Sequence, residues 1–233
     1  MKVAVLLRHL REQSTGSRRL LGRCDEAALA TALALGAKGA HVTALAAGPP
    51  KHEDEVLAHA IARGVHRALC VSDDCLQAVD YHSIAFVLAR ALKKTAYDLV
   101  LVGDSSEEER QGAVGPAVAE GLKLPHLSGV VEVTPEGTAV LATRREPGVL
   151  RTLRVPLPAL LAIVACPRVA ETKPIAGVVA ETISLASLDI HTAELKSREA
   201  FLGHNEATSV PPSVTLYATA DELGARLRDD LGR

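Results

Sequence analysis

Four short apolar runs, at residues 3–7, 41–46, 66–71 and 97–102, alternate with segments of helical pattern at 25–36, 53–63, 80–94 and 111–121. This alternation constrains the fold more than any other feature of the chain. Strands too uniformly apolar to have a wet face, separated by helices, form βαβ units, and these build a parallel sheet with right-handed crossovers. The punctuation agrees. Asp25 and Glu26 open the first helical segment and Gly36 and Gly39 close it, Gly48-Pro49-Pro50 breaks the second strand, and Gly64 ends the second helix. Acidic starts and glycine ends suit the helix dipole and the left-handed cap.

From residue 127 the character changes. Runs at 130–133, 139–143, 150–155 and 160–164 are short and β-prone, with turns at Pro135-Glu136-Gly137 and Glu146-Pro147-Gly148, and are expected as antiparallel additions to the sheet. Beyond residue 165 the pattern dissolves into a polar, proline-containing arm over 167–213, and residues 219–233 read as a helix with Asp221 and Glu222 near its start. A long arm without a core of its own packs on something else. The expected organisation is an α/β nucleotide-binding-type domain over 1–165 and a C-terminal arm over 166–233, used for subunit contact.

Composition narrows the function classes. Lys and Arg total 26 against 28 Asp and Glu, a formal charge of −2, so there is no general attraction to nucleic acid or anionic membrane. Hydrophobic residues are 48% of the chain but aromatics only 2%, with no Trp, so the core is aliphatic and base-stacking platforms are scarce. No run approaches the roughly 20 apolar residues of a membrane span. The start, MKVAVLLRHL, is broken too early by Arg8 and Arg11 to read as a signal peptide, and a cytoplasmic location is expected. Cys24, Cys70, Cys75 and Cys166 are scattered and read as free thiols, and the nine histidines form no metal-ligating pattern.

The stretch 98–125, DLVLVGDSSEEERQGAVGPAVAEGLKLP, carries the functional signal. An apolar strand breaks at Gly103, a polar loop follows, and a helix opens near Gln111. Open α/β sheets bind ligands outside the carboxyl ends of their strands, and unpaired amides at a helix start favour anions. The adjacent carboxylates Glu107, Glu108 and Glu109 read as a solvated loop rather than as general acids and bases. No acid–base or nucleophilic constellation stands out, so the chain is not expected to be an enzyme in its own right.

With these elements in order, the chain resembles the beta subunit of electron transfer flavoproteins, including the variants found beside nitrogen-fixation genes. The resemblance rests on Lys2-Val3-Ala4-Val5, on Cys24-Asp25-Glu26-Ala27-Ala28, on Ala44-Leu45-Ala46-Ala47-Gly48-Pro49, on residues 103–125, and on residues 143–158 followed by Pro167-Arg168. It implies an open, mostly parallel, doubly wound sheet of the adenine-nucleotide alpha-hydrolase type. It further implies a heterodimeric electron carrier that shuttles electrons from a dehydrogenase to an acceptor. FAD is then held mainly by an alpha subunit, and AMP or a second FAD by the beta subunit. By the resemblance the nucleotide contacts Ala4, Val5 and Leu6 at the end of the first strand, Asp25, the Ala47-Gly48 turn, and Gly103, Asp104, Arg110, Gln111, Gly112, Val114 and Gly115. Gly48 and Gly103 are expected to let backbone approach the ligand.

Several positions depart from the family pattern. Arg23 and Cys24 stand where Asn-Pro is usual, and Glu108, Gly112, Ala113 and Val114 stand where AMP-type members place Asp, Asn, Gln and Thr. Val114-Gly115-Pro116 looks more like the electron-bifurcating group. Arg110 and the amides of the helix start are the expected compensating phosphate ligands. Residues 173–180 hold one Lys and mostly apolar residues where the family carries a basic run beside its dehydrogenase-recognition loop. Two alternatives stay open: a stand-alone adenine-nucleotide-binding module, whose glycine spacing Gly103, Gly112 and Gly115 do not fit, and a structural subunit with a decayed site.

Overall fold

The computed structural model describes residues 1–8, 20–106, 111–164, 173–198, 221–222 and 225–226, with backbone alone at 51–53 and 78. Arg110, the Glu107-Glu108-Glu109 run, Cys166 and Pro167-Arg168 lie outside the described residues. The chain divides into two compact units, Met1–Glu199 and Ala200–Arg233. In the second, the expected helix over 219–233 falls mostly outside the described residues, and Asp221, Glu222, Ala225 and Arg226 have helical backbone.

The first unit is built on one nine-stranded sheet. Along the chain its elements are β1 (Lys2–Leu7), α1 (Arg23–Gly36), β2 (His41–Gly48), α2 (Pro50–Ala62), β3 (Arg67–Ser72), a 3-10 turn (Asp74–Ala78), α3 (Tyr81–Lys93), β4 (Leu99–Gly103) and α4 (Val114–Leu122). Then come β5 (His126–Glu136), β6 (Ala139–Glu146), β7 (Val149–Pro156), β8 (Ala159–Ile163) and β9 (Ala180–Ile183). In space the order is β7-β6-β5-β8-β4-β1-β2-β3-β9. The chain steps outward from β1 to β2 and β3, then crosses back through α3 to place β4 on the other flank of β1. The strand order therefore reverses between β1 and β4, which is where doubly wound sheets leave a crevice at the carboxyl ends of their strands.

Two aliphatic cores cover the two faces. Val3, Val5, Val42 and Ala44 point to one side, against Leu29 and Leu33 of α1 and Val56 and Leu57 of α2. Ala4, Leu6, Leu45 and Val100 point to the other, against Val87 and Leu88 of α3 and Val118 and Ala119 of α4. Alternation of side chains along each strand makes this division, and each fully buried Leu or Val contributes about 1.5–3 kcal/mol relative to exposure. Gly115 matters here: a Cβ on it would stand 3.0 Å from Val102 Cγ1, so its bareness lets α4 lie close on β4.

The structure corrects two strand expectations. The run at 160–164 is not an antiparallel addition: β8 pairs parallel with β4 on one side and parallel with β5 on the other. Its sequence, ALLAI, is buried at every position, the signature of an interior parallel strand. Among the described residues, antiparallel pairing is confined to β5 with β6 and β6 with β7. Within the stretch read as a coreless arm, β9 adds in parallel to β3, and Leu185, Leu188, Ile190 and Leu195 are buried in the core on the α3 and α4 face.

Candidate nucleotide cleft

A cleft of about 620 Å³, its solvent-open part included, lies at the carboxyl ends of β1, β2 and β4. Leu6, Leu7 and Arg8 reach it from the end of β1, and Ala47 from the end of β2. Val102 and Gly103 reach it from β4, Ser105, Ser106, Gln111 and Gly112 from the loop beyond, and Val114 from the start of α4. Asp25 of α1 lines it beside Gly103, and Tyr81, Ile84 and Leu88 of α3 form an apolar wall.

The three helices that start beside this cleft differ in charge. The N-terminus of α1 carries Asp25 and Glu26 in its first turn. That of α3 is capped by Asp80, whose carboxylate accepts from Ser83 N–H at 3.0 Å. The start of α4 has neither a side-chain cap nor an acidic residue in its first turn. Unpaired helix-start amides and the dipole favour an anion at such a point, and a carboxylate at the other two opposes one. With Ser105, Ser106 and Gln111 alongside, the donor set suits a phosphoryl group at the α4 end, so the residues present fit an adenine nucleotide placed with its phosphate there.

Of the residues expected to contact a nucleotide, Leu6, Asp25, Ala47, Gly103, Gln111, Gly112 and Val114 line the cleft together. Ala4, Val5, Gly48, Asp104 and Gly115 do not. Val5 faces the opposite core, Ala4 is buried in the core beneath the cleft, and Gly115 serves the α4–β4 approach. Asp104 turns toward β5, its carboxylate accepting from Gly129 N–H at 2.8 Å. Gly103 has a use beside the one expected. A Cβ there would come within 2.9 Å of Asp25 N and 3.0 Å of Cys24 C, so the glycine makes room for the start of α1. Gly112 makes room for the loop itself, since its Cβ would stand 2.5 Å from the Asp104 carbonyl oxygen.

Sequence reasoning missed Leu7, Arg8, Tyr81, Ile84, Leu88, Val102, Ser105 and Ser106 as site residues. The two serines sit directly after Gly103-Asp104 in the loop already singled out, and hydroxyls there were a readable signal. The α3 residues carried none, because a helical pattern does not say which turn borders a cleft. Below the cleft, His126 at the start of β5 is half buried and its Nε2 has no partner among the described residues. Burial pushes this imidazole below its ordinary value, against the upward pull of the Asp104 carboxylate. Burial and Asp73 push the Cys75 thiol up to about 11, which keeps it protonated and inert at neutral pH.

A sequence model of the electron transfer flavoprotein domain matches residues 14–190, well over half of the chain. The chain belongs to the electron transfer flavoprotein domain family. Among curated relatives it is 31% identical over 163 residues to electron transfer flavoprotein subunit beta of Methylophilus methylotrophus, covering 64% of this chain and 62% of that protein. It is 30% identical over 151 residues to the subunit of the same name from Bacillus subtilis, 64% of this chain and 58% of that one. With that from Clostridium acetobutylicum it shares 30% identity over 138 residues, 59% and 53%. The chain spans less than two thirds of the length of these relatives.

Proposed function

We propose that this chain is the beta subunit of a heterodimeric electron transfer flavoprotein, and that its cleft holds an adenine nucleotide, AMP or a second FAD. The observation that carries the reading is the coincidence of three features: the cleft lies where the strand order reverses, family membership spans that region, and α4 alone of the bordering helices starts without a carboxylate. The main FAD belongs to an alpha subunit. When bound, it supplies the redox chemistry by which electrons pass from a dehydrogenase to an acceptor. This chain's residues position and bind: Ser105, Ser106, Gln111 and the first amides of α4 hold the phosphate, with Arg110 added from the same loop. Asp25 stands beside Gly103, its carboxylate next to the space a Gly103 Cβ would take, and a carboxylate there suits a sugar hydroxyl or an amino group rather than a second anion. The chain works as an electron-carrier subunit in the cytoplasm and does no acid–base chemistry of its own.

Co-purification tests this reading. The chain is expressed alone and together with an alpha-type subunit, and the visible spectrum of each product is recorded. A yellow heterodimer is expected. A colourless monomer that binds ATP by itself would replace this reading with that of a stand-alone nucleotide-binding module.

A further inference from the structure

The cleft is divided chemically in a way that assigns its two ends. Polar groups come from the β4–α4 connection, as Ser105, Ser106 and Gln111, with Arg8 from the end of β1 and Asp25 from α1 beside Gly103. The wall from α3 is apolar: Tyr81, Ile84 and Leu88 are spaced i, i+3 and i+7, one face of the helix. Tyr81 carries the single aromatic ring among the described lining residues, in a chain with three Tyr, two Phe and no Trp.

The ring is well mounted. Tyr81 is the first residue of α3, and the Asp80 before it is 9% exposed. One Asp80 carboxylate oxygen accepts from Ser83 N–H at 3.0 Å and the other from Arg198 N–H at 2.5 Å. The backbone on which Tyr81 sits is thereby pinned from its own helix and from the segment beyond β9. The imidazole of His82 stacks on the Tyr81 ring, centroids 4.1 Å apart and planes 30° from parallel. A ring supported on one side and bordering the cleft is pre-organised to take a second planar partner, with little side-chain freedom left to lose on binding.

We propose that the Tyr81 ring is the stacking platform for the planar base of the nucleotide, which makes Tyr81 the residue that selects a base-bearing ligand over a bare sugar phosphate. The proposal rests on the nucleotide reading of the cleft given above. It assigns the phosphate to the α4 end and the heteroaromatic ring to the α3 wall, against Tyr81 with Ile84 and Leu88 beneath.

The test uses the chain freed of bound nucleotide, with AMP as ligand and ribose 5-phosphate as the probe that lacks a base. Tyr81→Ala is expected to weaken AMP binding by roughly 5- to 150-fold, the usual worth of one base–aromatic stack, while ribose 5-phosphate binding stays as in the wild type. Tyr81→Phe keeps the ring and binds AMP like the wild type. With no Trp in the chain, tyrosine emission is directly readable. AMP is expected to quench it in the wild type, and the quench to vanish in Tyr81→Phe although AMP still binds. Undiminished AMP affinity in Tyr81→Ala, or an equal loss for both ligands, would overturn the assignment of Tyr81 and leave the nucleotide reading standing. A wild-type chain that takes up neither AMP nor ribose 5-phosphate would overturn that reading and this one together.

Discussion

At the scale of single residues, the structure ties several side chains to uses that only their neighbours reveal. Val42 and His66 clasp each other: Val42 N–H donates to His66 Nδ1 at 3.1 Å, and His66 N–H donates to the Val42 carbonyl at 2.9 Å. The first bond needs Nδ1 unprotonated. Burial lowers the pKa of His66, and the neighbouring His41, with ring centroids 5.0 Å apart, lowers it further. Because the folded pKa lies below the ordinary 6.5, the unfolded chain binds the proton more readily. The contribution is therefore complete above about pH 6.5 and is lost as pH falls from there through the folded pKa. Urea unfolding at pH 7.5 and 5.5 should show the wild type losing stability on acidification. His66→Asn, whose amide oxygen can accept from Val42 without titrating, should lose less, and equal losses would contradict the clasp. Gly103 gives a second prediction. Its Cβ has no room beside Cys24 and Asp25, so Gly103→Ala should cost about 1–3 kcal/mol in denaturant unfolding, the usual cost of overpacking. The sequence marked Gly103 as special from its place after an apolar strand. That it accommodates a helix start depends on an approach between residues 78 positions apart in sequence (103 − 25), which no local pattern encodes.

At the scale of elements, legibility followed locality. The helices α1, α2, α3 and α4 and strands β1 to β4 were readable because their apolar periodicity and end residues are local. The position of β8 was not read correctly, although ALLAI is apolar throughout, because hairpin turns around it suggested a meander and its true neighbours are β4 and β5. Strand β9 gave no signal at all. It is a four-residue edge strand, mostly exposed, and it exists because β3 offers it a free edge. Two kinds of contact hold it and the segment that follows. Arg67 donates to both carboxylate oxygens of Glu181, at 2.9 and 2.6 Å, and Lys94 reaches the Ser187 carbonyl. Leu185, Leu188, Ile190 and Leu195 are buried. The ion pair is about half exposed, so Glu181→Ala should cost no more than about 1 kcal/mol. Leu188→Ala removes a buried side chain and should cost about 2–5 kcal/mol. Urea unfolding of both variants checks the ranking, and a larger loss for Glu181→Ala would mean that the polar contact, not the apolar one, docks this segment.

At the scale of the whole molecule, the β1–β4 reversal, the two cores and the carboxylate-free start of α4 converge on one cleft. Half of that cleft was legible: the loop after β4 follows from strand, glycine and helix start in sequence. The α3 wall was not, since it is assembled by the crossover that carries the chain from β3 back to β4. Taken with family membership, the arrangement supports the proposal of a subunit that binds an adenine nucleotide and leaves the electron-carrying flavin to a partner. The most direct test is the nucleotide content of the complex purified with an alpha-type subunit. Protein is removed with acid and the released flavin and adenine nucleotides are quantified by chromatography. One FAD per heterodimer together with one further equivalent of AMP or FAD is predicted. A heterodimer that releases a single FAD and no other adenine nucleotide would contradict the account of the cleft.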